Sequence, residues 1–377
     1  MPFDPQNNTF LLAGPVKMHP RVLAAMARPA MAHRDPAFQD VNRRIGERLR
    51  EVFQTTAPVV TMAGSGTAGM DAAAMSLLKK GEKAVAISNG KFGERFATLA
   101  STYGDATVLK SDWGQPVDLA KLEETVRTVK PKAVFLTHNE SSIGFTHPLE
   151  KIAKIAHDHG ALLVADCITS IGGMDVPVDK WGVDVAIVGS QKSLGMPSGL
   201  CFVSINERAQ QAMHKDNGYY LNLLRYIKKH AENDTPFTPA IPLHLAAIEA
   251  LDIIHEQGLQ NRVAMVRKQA EATRAAFEAM GVELFVPQGY RSDTVTAMRY
   301  PQGVEDSKMR KWLKERNVVI AGGQDHVKGV IFRIGHMGTV STEELMGGIA
   351  AVERALLAQN APIKRGAWVE AFQQHAP

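Results

Sequence analysis

The segment DVAIVGSQKSLGMPSG holds the residue most able to do chemistry, Lys192. An apolar strand pattern ends at Ser190, and the Gly/Pro-rich stretch beyond Lys192 can neither continue a strand nor build a long helix. The lysine is therefore presented at a strand end. In an open α/β sheet the carboxyl ends of the strands form the ligand crevice. An amine placed there, partly desolvated or near other cations, has a lowered pKa and can condense with an aldehyde to form an imine. The plain alternative is a solvated loop lysine.

Two further segments could serve the same chemistry. Asp166 ends the apolar run LLVADC, where a carboxylate needs a cationic or hydrogen-bonding partner because an unpaired buried charge is costly. A protonated pyridine nitrogen would supply that partner and, kept cationic, would act as an electron sink. A helix cap or turn carboxylate is the competing reading. In MAGSGTAGMDAA a strand runs through a glycine turn into a helix, so Ser65, Gly66 and Thr67 are placed to hold a phosphate on backbone N–H groups and the helix dipole. Gly64, Gly66 and Gly69 also match G-x-G-x-x-G, which alone would suggest a dinucleotide turn. Against that, the residue near twenty positions downstream is Glu82, which precedes a strand instead of ending one.

The elements that must position these groups follow from apolar periodicity. VVTM, AVAIS, ATVLKS, AVFLTH, LLVADC, DVAIVGS and LCFVSI read as strands, and their near-continuous apolarity implies burial on both faces. Helical spacing over 67–79, 92–103, 118–129 and 148–159 alternates with them, the signature of a mostly parallel α/β sheet. After about Arg225 the pattern changes. Helices over roughly Leu243 to Gln257 and Arg262 to Met280 lead into shorter strands at VTAMRY, VVIAGG and VIFRIG, with helices around Lys308 and Glu343. The expected division is an N-terminal arm over 1–20, a large α/β domain with a seven-stranded sheet over 21–260, and a smaller C-terminal α+β domain over 261–377.

The 377 residues, 45% hydrophobic and 22% charged, fit a globular chain large enough for two domains. A net charge of +4 with interspersed signs argues against nucleic acid as a partner. The thirteen histidines form no metal-ligand spacing, so no metal is expected. Cys167 and Cys201 sit in apolar runs and read as reduced core residues. No signal peptide, spanning segment or address motif is evident, which leads to an expectation of a cytoplasmic protein without membrane contact.

Taken in order, glycine loop, Asp and Lys resemble the fold-type I pyridoxal-phosphate enzymes. The chain is similar in particular to the class V aminotransferases, the alanine:glyoxylate, serine:pyruvate and archaeal aspartate group. LLAGPVKMHPRV, HRDPAF, GSGTAGMDAA, GKFGERF, LTHNESSIG, VADCITSIGG, GSQKSLGMPSG, TPFTPA, AGGQ and FRIGHMG carry the resemblance along nearly the whole length. It implies that Lys192 forms the Schiff base with pyridoxal 5'-phosphate and that Asp166 bonds the ring nitrogen. Phe92 would stack on the ring, where many relatives have Trp; Ile168 would pack on the opposite face and Ser141 would lie near the ring oxygen. Gln191 would bond the phosphate, and Thr238 would reach the phosphate of a neighbouring subunit, implying a homodimer with active sites at the interface. By sequence alone Thr238 is a helix-start residue before Pro239. Where relatives often place a Tyr, this chain has Phe237. Arg333 would clamp the substrate α-carboxylate, a task suited to a bidentate guanidinium, with an internal salt bridge as its other reading. Gly14 would let substrate approach the backbone.

The implied activity is a ping-pong transamination between a small amino acid (alanine or serine) and glyoxylate or pyruvate, with aspartate and 2-oxoglutarate as the nearest rival pair. A cysteine desulfurase, which needs a mobile exposed Cys, an NAD-dependent dehydrogenase and a non-enzymatic subunit keeping the fold are the other readings.

Overall fold

The computed structural model describes Asp4 and residues 7–29 and 31–377. A seven-stranded sheet has the order Val59–Ala63, Leu200–Ile205, Val185–Gly189, Leu162–Asp166, Ala133–Thr137, Lys83–Ser88, Asp105–Lys110. Only Leu200–Ile205 runs against the rest. All seven expected strands are present, and alternate residues explain their apolarity. Val85, Val134, Leu163 and Ala186 feed one core layer, while Ala84, Phe135, Val164 and Ile187 feed the other. Period-two alternation between two dry faces leaves no polar positions.

The crossover helices Gly66–Leu77, Lys91–Tyr103, Leu119–Val129 and Leu149–Asp158 lie within two residues of their expected bounds. Ahead of the sheet, Pro20–Met26 and Pro36–Phe53 pack on the long helix Ile241–Gln257, where Asp252 accepts from Arg44 and Arg48.

A second sheet has the order Thr9–Leu11, Val318–Gly322, Ile331–Gly335, Val295–Arg299, covered by the helices Leu259–Met280, Asp306–Lys314, Thr342–Leu357 and Trp368–His375. Residues 9–11 pair in parallel with Val318–Ile320, so part of the segment read as an arm is an edge strand of this sheet; Met1 to Phe3, Pro5 and Gln6 lie outside the described residues. A capping box between Ser341 and Glu344 starts Thr342–Leu357. Among the described residues no helix is long and apolar enough to cross a membrane.

Candidate active site

Five strands of the large sheet deliver their C-terminal ends to one cavity of about 290 Å³. It is lined by Ser65, Gly66 and Thr67 after the first strand, Phe92 and Arg95 after the Lys83–Ser88 strand, Asn139 and Ser141 after Ala133–Thr137, Asp166, Ile168 and Thr169 at the central strand, and Gln191 and Lys192 after Val185–Gly189. Convergence of strand ends, one face of the sheet to one crevice, is what a parallel α/β topology enforces.

Lys192 Nζ donates to the Ala13 carbonyl at 2.5 Å. Burial first, then the Arg333 and Arg95 cations, push its pKa down to about 8, against the opposing pull of Asp166. Gly14 sits at φ +102°, and a Cβ there would overlap Lys192 Cδ and Nζ. Glycine at this position is therefore the condition for the lysine to occupy its place.

Asp166 is 3% exposed. Its Oδ2 accepts from Thr137 Oγ1 at 3.0 Å and its Oδ1 from the Ile168 N–H at 2.9 Å. Burial raises its pKa to about 7 despite these two bonds, with Glu140 adding repulsion. A carboxyl raised in this way has no cation in ion-pair contact, and the pull of Lys192 is too weak to offset its burial.

Arg333, 5% exposed in the centre of the second sheet, donates Nη1 to the Ser141 carbonyl at 2.6 Å, and Nε and Nη2 to the Gly322 carbonyl at 3.1 and 2.7 Å. No carboxylate lies within ion-pair distance of it among the described residues, so the salt-bridge reading fails. Burial lowers its pKa to about 10, with Glu140 the opposing influence.

Besides Asn139 and Thr169 in the lining, three residues that shape the site escaped the sequence reading. Arg95 donates to Thr67 Oγ1 at 2.9 Å and lies over the Phe92 ring at 5.0 Å. Thr137 orients Asp166. Glu140, fully buried, accepts from the Phe92 and Gly93 N–H groups at 2.9 Å and thereby fixes the start of the helix that carries Phe92. Spacing offered a signal only for Arg95, which falls on the same helix face as Phe92.

Of the expected site residues, Gly14, Arg333 and Thr238 do not line this cavity: Gly14 lies against Lys192 and Arg333 donates to Ser141 of the lining, whereas Thr238 is exposed. It does not start a helix either: the helix begins at Ile241 with Ala240 as its cap, and Pro242, not Pro239, occupies the first turn. Phe237 stacks on Tyr220 at 4.8 Å.

A family model, Aminotransferase class-V, matches residues 17–342. The chain belongs to the class-V aminotransferases. This aminotransferase is 40% identical over 363 residues to an uncharacterised aminotransferase of Methanocaldococcus jannaschii, covering 94% of each chain. It is 33% identical to a serine–glyoxylate aminotransferase of Methylorubrum extorquens, covering 98% of this chain and 96% of that one. The crystal structure of ureidoglycine–glyoxylate aminotransferase from Bacillus subtilis superposes with a TM-score of 0.94 at 30% identity, covering 98% and 97%. The aminotransferase is thus an enzyme that transfers amino groups, on the pyridoxal-phosphate fold type I.

The rival chemistries find no footing. Cys167 and Cys201 are buried, and burial pushes both thiols up, Cys201 to about 12, so neither is a nucleophile for desulfuration. Glu82, the acid a dinucleotide turn would require, instead accepts from Lys132, His214 and the Lys79 N–H. Among the described residues no cluster of His, Cys, Asp and Glu could hold a metal ion.

Proposed function

We propose that the aminotransferase binds pyridoxal 5'-phosphate in this cavity and moves the amino group of a small amino acid, alanine or serine, to glyoxylate or pyruvate. The observation that carries the reading is the convergence on one cavity of a depressed-pKa amine, a carboxyl without a cation in ion-pair contact and a glycine cradle, with a guanidinium free of any salt bridge donating to Ser141 in its wall.

The residues present fit the cofactor. Gln191 Oε1 is buried without a partner, and Ser65 caps its helix without a side-chain hydrogen bond, leaving its hydroxyl and the outward N–H groups of the first turn for an anion. Ser65, Gly66, Thr67 and Gln191 would hold the phosphate, Phe92 and Ile168 the two ring faces, Ser141 the ring oxygen side and Asp166 the ring nitrogen. When bound, pyridoxal phosphate supplies an aldehyde for amine exchange and a cationic ring that draws electrons from the substrate Cα. Lys192 Nζ, whose pKa burial and the neighbouring guanidiniums bring down to about 8, would be the base that takes the substrate Cα proton and returns it on the cofactor side. Asp166 keeps a proton on the ring nitrogen, Thr137 keeps Asp166 in register, and Arg333 holds the substrate carboxylate with Gly14 leaving space beside the amine.

The names of the relatives support glyoxylate as acceptor. The serine–glyoxylate aminotransferase among the relatives supports a small donor with an uncharged side chain. Half-reaction spectra with a panel of donors and acceptors test this. Alanine or serine should bleach the bound cofactor, and glyoxylate restore it, with kcat/KM at least roughly tenfold above the aspartate and 2-oxoglutarate pair. The reverse order would replace the proposed substrates.

The same reading makes the protein a homodimer in which Thr238 reaches the cofactor phosphate of the neighbouring subunit. Thr238 is exposed beside an aromatic group in which Tyr219 is 66% and Tyr220 44% exposed, a patch suited to burial by a second copy. Sedimentation of active protein should give the dimer mass; full activity in a monomer would remove the assignment.

A further inference from the structure

We propose that Arg262 is a positioning residue that sets the reacting amine of Lys192 relative to the carboxylate-binding guanidinium of Arg333; the inference rests on the roles proposed for those two residues. Arg262 lies in the first turn of Leu259–Met280 and is 4% exposed, yet among the described residues no carboxylate comes within ion-pair distance of it. Burial pulls its pKa down to about 10. A cation so placed is costly, and here four of its five N–H groups are used. Nε donates to the Gly172 carbonyl at 2.9 Å, Nη1 to Gln257 Oε1 at 2.8 Å, and Nη2 to the carbonyls of Ser193 at 2.6 Å and Gly338 at 3.1 Å.

Those three carbonyls belong to the segments that carry the site. Ser193 adjoins Lys192; Gly172 closes the turn that follows Asp166, Ile168 and Thr169; Gly338 ends the segment leaving the strand of Arg333. The junction has no slack. Ser193 Oγ donates to the Thr169 carbonyl at 3.2 Å and contacts Met337 Sδ at 3.5 Å. A Cβ on Gly173 would come within 2.8 Å of Ser193 Oγ and 2.9 Å of Thr294 Cγ2. One planar group thus ties the amine, the ring-nitrogen acid and the carboxylate clamp together. An ammonium, whose donors radiate from one atom, cannot span the three carbonyls.

The charge of Arg262 is not what matters to Lys192, since Arg333 and Arg95 are the cations that depress the amine. The role is geometric, so a ligand held at two points should feel the loss and a ligand held at one point should not. Arg262→Lys and Arg262→Met are to be compared with the parent in the cofactor-loaded enzyme by borohydride trapping with peptide mass, by steady-state kinetics, and by the inhibition constant of propionate, an unreactive carboxylate. In both variants trapping at Lys192 should persist and propionate should bind within about twofold of the parent. The amino-acid KM should rise and kcat/KM fall roughly ten- to a hundredfold. Parent-like KM in Arg262→Lys, or a loss shared equally by propionate, overturns the proposal. Absence of trapping at Lys192 in the parent itself would instead condemn the underlying assignment. Should neither variant fold, Arg262→Gln, a shorter planar donor that cannot reach all three carbonyls, replaces them, and an unchanged KM there overturns the proposal equally.

Discussion

Replacing Lys192 by Ala is expected to remove the visible absorbance of the cofactor-loaded protein and to lower turnover by at least roughly 10⁴-fold. Lys192 is the sole amine among the residues lining the cavity; the nearby cations, Arg95 and Arg333, are guanidiniums, which neither form the imine nor deprotonate to act as a base. The variant should fold. Lys192 makes one side-chain hydrogen bond, to the Ala13 carbonyl, and its burial disfavours its charged form, so removal costs little. A melting temperature close to the parent's, together with lost absorbance and lost turnover, is the expected result. Retained absorbance with retained turnover would mean that another group does the chemistry.

The second large effect is expected at Asp166. Asn is nearly isosteric and can accept from the Ile168 N–H on its oxygen while its amide nitrogen donates to the Thr137 hydroxyl oxygen, but it cannot hold a proton on a ring nitrogen by charge. Turnover of Asp166→Asn should fall on the order of a thousandfold. The same residue carries a pH signature in the cofactor-free protein. Its carboxyl is raised to about 7 from the ordinary carboxylate range, so the fold favours the protonated form. That contribution is complete below the ordinary pKa and is lost as pH rises through about 7. The difference in melting temperature between the cofactor-free parent and Asp166→Asn should therefore shift against the parent as pH rises from about 4 to about 7, on top of the opposite trend set by the buried His138, His147 and His336. An unchanged difference, or turnover within about tenfold of the parent's, would remove Asp166 from its role.

The sequence disclosed the large sheet because its five inner strands are almost wholly dry on both sides, which leaves contiguous apolar runs bounded by turns; the edge strand Asp105–Lys110 exposes Asp105, Thr107 and Lys110. It concealed the hairpin Asn139–Glu140 with Phe145–Thr146 because HNESS is polar throughout yet buried, its polar atoms satisfied by partners far along the chain such as Thr169 and Thr294. Nothing in NRVAMVRKQ marks Arg262, not Arg267, as the arginine that turns inward. Thr9–Leu11 is too short to show a period. Two prolines bracket the start of Ile241–Gln257, and a rule about proline in the first turn cannot choose between them. Lys192, Asp166 and the glycine turn were legible because each breaks the local pattern in a way that costs free energy without a ligand. Their mutual distances were not, since proximity across strands depends on sheet order.

Ala13, which accepts the hydrogen bond of Lys192, lies just past the edge strand Thr9–Leu11 that is zipped to the sheet of Arg333. The acceptor of the amine and the guanidinium of Arg333 are thus borne on one hydrogen-bonded sheet, a leash of one residue, Leu12, separating the strand from Ala13.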